Sequence, residues 1–86
     1  MNNPESIEII DRFFEALDFL IANKQIRGIK TFTERYGINR WNFNTVRKER
    51  HRDIFQLSWL SYMINDFGIS AEWLMSGKGG MLSKKE

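Results

Sequence analysis

Apolar residues in the first third of the chain recur every three or four positions: Ile7, Ile10, Phe13, Phe14, Leu17, Leu20 and Ile21. This spacing puts them on one side of an α-helix and predicts a helix from about Pro4 to Asn23. Asn3 is placed to cap it, Pro4 suits its first position, and the early carboxylates suit the positive end of the helix dipole. Gly28 interrupts the pattern. A short helix is expected from Ile29 to Tyr36, ended by Gly37, which can take the left-handed conformation of a tight exit. Asn39 is an effective N-cap for a third helix reaching about Arg50, with Phe43 and Val46 on one side. The charged run from Lys48 to Asp53 reads as a loop or a frayed end. A fourth helix from about Ile54 to Asp66 is expected to bury Leu57, Leu60 and Ile64 before Gly68 stops it. Ser70 opens a last short helix, Ala71 to Ser76, which Gly77 closes.

No alternation of apolar and polar residues is long enough to suggest a sheet, so helices must carry the fold. The expected class is all-α, a compact bundle of about five short helices forming one domain over residues 1–82, followed by a flexible tail at 83–86. Phe13, Phe14, Phe55, Trp59, Tyr62 and Phe67 stand at helical spacings and read as core. With 86 residues, 42% of them hydrophobic, the chain supports a single modest core and leaves no length for a second, catalytic module.

Charge changes the picture more than composition does. The formal net charge is only +2, yet residues 1–23 hold one arginine against five carboxylates, a local net of −4. Residues 24–52 hold nine lysines and arginines against Glu34 and Glu49, a net of +7, and the remainder comes to −1. A basic centre between acidic flanks is the footprint of a polyanion site built from one part of a small domain.

That basic centre coincides with two short helices joined by a tight glycine turn, the pattern of a helix-turn-helix from about Ile29 to Lys48. Phe32, Tyr36, Ile38, Phe43 and Val46 surround Gly37 at the offsets that face the two helices toward each other. Downstream stands Ser70-Ala71-Glu72-Trp73-Leu74-Met75-Ser76-Gly77-Lys78-Gly79-Gly80-Met81. On these residues the chain resembles the lambda-repressor-like, phage-repressor type of helix-turn-helix transcriptional regulators, in which a serine-capped helix containing Trp-Leu and followed by Gly-x-Gly often closes the domain. The resemblance runs from the first helix to Met81. It departs at Thr33, which stands where such motifs place a small residue, often alanine. It implies a lambda-repressor-like fold, a double-stranded DNA partner and a role in transcription regulation.

A helical wheel assigns the face without the family. With the bisector of Phe43 and Val46 taken as inward and about 100° per residue, Trp41, Thr45 and Lys48 point outward, Asn44 lies beside them, and Arg40 and Arg47 flank the strip. Arginine or lysine reads guanine, asparagine reads adenine, and apolar groups pack on the thymine methyl. Base contacts are therefore expected from Arg40, Trp41, Asn44, Thr45 and Lys48, with Asn39 divided between capping and binding. Phosphate contacts are expected from Arg27, Lys30 and Thr31 at the start of the preceding helix, and from Arg47, Arg50 and Arg52 at the far end of the reading helix. Trp73, Leu74, Met75, Met81 and Leu82 offer apolar surface either for docking the last helix on the core or for a homodimer interface.

Other chemistry finds little footing. His51-Arg52-Asp53 spells a kinase catalytic-loop tripeptide without the glycine-rich loop or the length of a kinase. Gly77-Lys78-Gly79-Gly80 lacks the preceding strand and following long helix of a phosphate loop. Cysteine is absent and His51 is the lone histidine, so no catalytic residue, metal site, cofactor or small-molecule ligand is expected. The longest apolar runs fall short of a membrane span, and a cytoplasmic protein is the expectation. A helical protein-protein interaction module, using Trp41 and the C-terminal apolar cluster without direct DNA reading, remains the alternative.

Overall fold

The cap expected at the start of the chain is formed: the Asn3 side chain accepts a 2.8 Å hydrogen bond from the Ser6 N–H. From there, a computed structural model describing residues 3–83 runs through five helices: α1 (Pro4–Ala22), α2 (Ile29–Tyr36), α3 (Arg40–Lys48), α4 (Leu57–Phe67) and α5 (Ala71–Ser76). The molecule is all-helical. Among the described residues the sole β pairing is an isolated antiparallel bridge between Ile69 and Leu82. The tail expected at 83–86 lies outside the described residues except for Ser83, which is tied down: its N–H donates to the Gly68 carbonyl at 2.8 Å.

Phe13 is the hub of the core. Fully buried on α1, its ring lies 5.0 Å from Phe14, 5.2 Å from Phe55, 6.0 Å from Phe43, 6.1 Å from Phe32 and 6.2 Å from Trp59. One side chain thus touches α2, α3, α4 and the loop before α4. Most of these pairs are edge-on, the arrangement that matches the positive rim of one ring to the negative face of another. Ile10, Ala16, Leu17, Leu20, Met63, Ile69 and Leu74 belong to the same apolar interior.

Helix α4 departs from its expected form. It begins at Leu57 rather than Ile54, and Phe55 reaches the core from non-helical chain, its ring 4.8 Å from Trp59. The buried stripe of α4 is Trp59, Leu60 and Met63. At about 100° per residue Leu57 lies roughly 110° from the centre of that stripe, and it is 79% exposed rather than buried. Ile64, seven residues on and about 20° from Leu57 on the same side of the stripe, is half-buried. Helix α3 ends at Lys48, with Glu49 as its C-cap, slightly short of Arg50.

Two long-range ties hold the C-terminal third. The Arg12 guanidinium donates from Nε to the Leu74 carbonyl at 2.8 Å and from Nη2 to the Met75 carbonyl at 3.2 Å. A cation thereby satisfies carbonyls that α5 leaves open at its negative end. Beyond Gly77 the chain turns back, and Ser70 N–H donates to the Met81 carbonyl at 2.7 Å.

Candidate nucleic-acid interface

The α2–α3 corner is built from local signals that each find a partner. Gly37 takes φ +64°, the left-handed turn that lets the chain leave α2 sharply, and Ile38 N–H returns to the Thr33 carbonyl at 2.9 Å. Asn39 then caps α3 by accepting from Asn42 N–H at 2.9 Å. Thr33, 2% exposed, fits where a smaller residue was expected because its hydroxyl turns back on its own helix. It donates within reach of the Ile29 and Lys30 carbonyls, at 3.1 and 3.0 Å, so the buried hydroxyl itself is satisfied.

Both Phe43 and Val46 are fully buried, which fixes α3 by its inner side and turns the opposite side to solvent. Trp41 is 68% exposed; Arg40, Arg47 and Lys48 are exposed, and Asn44 and Thr45 half-buried. Trp41, Asn44, Thr45 and Lys48 line one shallow depression together with Glu49, so four of the five residues expected to contact bases share one surface. Arg40 stands on the same helix outside that lining. The Thr45 hydroxyl donates to the Trp41 carbonyl at 2.8 Å, which uses its proton inside the helix.

Apart from Arg47, exposed in the last turn of α3, the residues assigned to phosphate divide into two groups. Arg27 and Thr31 line a second depression with Lys24, Gln25, Ile26, Phe32, Arg35 and Phe67, and Lys30 is exposed nearby on the first turn of α2. No side chain caps that helix; its N-cap is Gly28. Lys24 and Arg35 are additions that the motif did not single out. Lys24 adopts φ +63°, and the Arg35 guanidinium lies 5.4 Å from the Tyr36 ring and 5.2 Å from the Phe67 ring. Arg50 and Arg52 are engaged within the protein instead. Arg50 stacks 4.7 Å above the Phe14 ring and reaches Asp11 at 3.5 Å, joining the chain after α3 to α1. Arg52 pairs with Glu49 at 3.3 Å, and His51 approaches the same carboxylate at 3.8 Å.

Of the proposed dimer surface, Trp73 and Leu74 are core residues, 9% and 0% exposed, and Met81 is half-buried. Met75 and Leu82 remain outward, 53% and 51% exposed. The sequence pattern missed Leu57: with Met75 it flanks an apolar groove also lined by Ser6, Ile9, Ile10, Phe55 and Leu60.

The α2–α3 unit is braced from behind by Tyr36. Its ring stacks on Tyr62 of α4, with centroids 4.0 Å apart and planes 5° from parallel, and its hydroxyl donates to Asp66 at 2.6 Å. Burial, followed by the hydrogen bond to Asp66, pushes the Tyr36 pKa up from 10.0 to about 12.

Among the described residues no helix is long and apolar enough to cross a membrane. No family model, curated protein or solved structure matches the chain.

Proposed function

We propose that this chain is a sequence-specific double-stranded DNA-binding transcriptional regulator of the lambda-repressor-like helix-turn-helix type, with α3 in the major groove. The observation that carries this reading is the outer strip of α3. A 68% exposed tryptophan shares one surface with Asn44, Thr45 and Lys48, beside Arg40, on a helix pinned from behind by two fully buried residues. A tryptophan loses more than most residues by facing water. Here it stands among the donors that major-groove edges require. Support also comes from the +7 segment and from the first turn of α2, whose amides have no side-chain cap and suit a phosphate.

With nine residues, α3 is about 13 Å long and spans roughly four base pairs. One such helix gives little discrimination, so the proposal includes a homodimer reading two half-sites about 34 Å apart. The groove flanked by Leu57 and Met75 is the apolar surface on which a second copy would pack, since an isologous contact needs one patch that complements itself. Selection from random duplexes, with sequencing of the retained pool, tests the whole reading. Enrichment of a short motif in two inverted copies is expected. A single copy would argue for a monomer, and no enrichment at low salt would favour the protein-interaction module instead. Arg40→Ala with Asn44→Ala is expected to abolish the preference without unfolding the domain. With Arg50 and Arg52 paired to carboxylates of the protein, Arg27, Lys30 and Arg47 are left to neutralise about three phosphates per domain, giving a slope of log affinity on log salt of about −3 per domain.

A further inference from the structure

The indole of Trp41 is the largest apolar group on the α3 surface, and among the described residues no ring or hydrogen-bonding side chain engages it. One helical turn further on, Thr45 has its hydroxyl turned back to the Trp41 carbonyl at 2.8 Å, so the two residues together present an apolar wall. Asn44 and Lys48 border the same depression with polar donors. Its one carboxylate, Glu49, is drawn toward Arg52 and His51. A major groove offers such a wall only one apolar counterpart, the C5-methyl group of a pyrimidine.

We propose that Trp41, backed by the Thr45 methyl, recognises a pyrimidine C5-methyl group next to an adenine addressed by Asn44; this rests on the DNA-binding reading above. The methyl belongs either to thymine or to 5-methylcytosine. Indole-to-methyl contact explains why an apolar ring is kept in solvent at the second position of α3, among polar donors. It also assigns roles within the strip: Arg40 and Asn44 select by hydrogen bonds, and Trp41 selects by shape and apolar contact. Removing one buried methyl corresponds to about a four-fold loss of affinity per half-site.

The test uses the full chain and the duplex enriched from the random pool. Each thymine of the half-site is replaced in turn by uracil, which deletes the methyl and keeps every hydrogen-bonding group. In parallel, cytosine and 5-methylcytosine are compared at each cytosine. Wild-type protein is expected to lose about four-fold at one thymine, or to gain about four-fold at one methylated cytosine, and either result identifies the methyl's source. In Trp41→Ala the ratio is expected to fall to about one at that position, with an unchanged circular dichroism spectrum. A wild type indifferent to every methyl overturns the proposal, as does a methyl effect that survives in Trp41→Ala, and both leave DNA reading standing. A pool that yields no motif overturns the DNA-binding reading itself, and this proposal with it.

Discussion

Tyr36 shows how a residue well away from the exposed strip can govern it. Its hydroxyl donates to Asp66 and its ring lies flat on Tyr62, so α2 is braced against α4 directly before the Gly37 turn. The folded state holds the proton more tightly than an unfolded tyrosine, with a pKa of about 12 against 10.0. The stabilisation is therefore complete below pH 10 and is lost as pH rises toward 12. A titration of thermal stability is expected to show a decline over that window that is absent in Tyr36→Phe. Single residues were unevenly legible in the sequence. The outward set of Trp41 and Lys48 followed from the positions of Phe43 and Val46, because a nine-residue helix allows little ambiguity of face. Arg50 was not legible. A cation in a basic segment looks the same whether it meets solvent or, as here, Phe14 and Asp11, because those partners lie some 40 residues away in sequence.

At the scale of the helices, the boundaries that sequence placed well are those marked by caps. Ile29–Tyr36 and Ala71–Ser76 match the expected bounds, since Gly37, Ser70 and Gly77 act through their immediate neighbours. Helix α4 lacks such a mark: its N-cap, Gln56, makes no side-chain capping bond. Phe55 looks like a helical core residue, although it fills the core from a loop. The cap of α3 is a useful point of attack because it lies at the edge of the proposed reading surface. Asn39→Ala removes the acceptor for Asn42 N–H and is expected to cost about 1 kcal/mol, measurable by urea denaturation. Fraying would centre on the turn that carries Arg40 and Trp41, so hydrogen exchange should quicken there before the rest of the domain.

For the molecule as a whole, a radius of gyration of 12.4 Å is close to the ~12 Å expected of a compact domain of this length. The aromatic centre accounts for this compactness. Phe13→Ala would open a cavity bordered by four helices and is expected to cost about 3 to 5 kcal/mol. Against the ~5 to 15 kcal/mol of a typical domain, that loss should bring a sharp fall in melting temperature or abolish the cooperative transition. Sequence reasoning recognised the core aromatics but left open whether the C-terminal apolar residues dock or face a second copy. Trp73 and Leu74 are interior, at the end of α5 that Arg12 ties to α1 across 62 and 63 residues of chain, and no local pattern foretells such a tie. The resulting burial separates the three tryptophans sharply, with Trp41 at 68% exposure, Trp59 at 2% and Trp73 at 9%. The protein is thus its own optical probe. Collisional quenching by acrylamide should extinguish essentially one emitter, the red-shifted fluorescence of Trp41, while the two interior indoles continue to report folding. Occupation of the α3 surface is therefore readable without a label, as shielding of one tryptophan against an unchanged background from the other two.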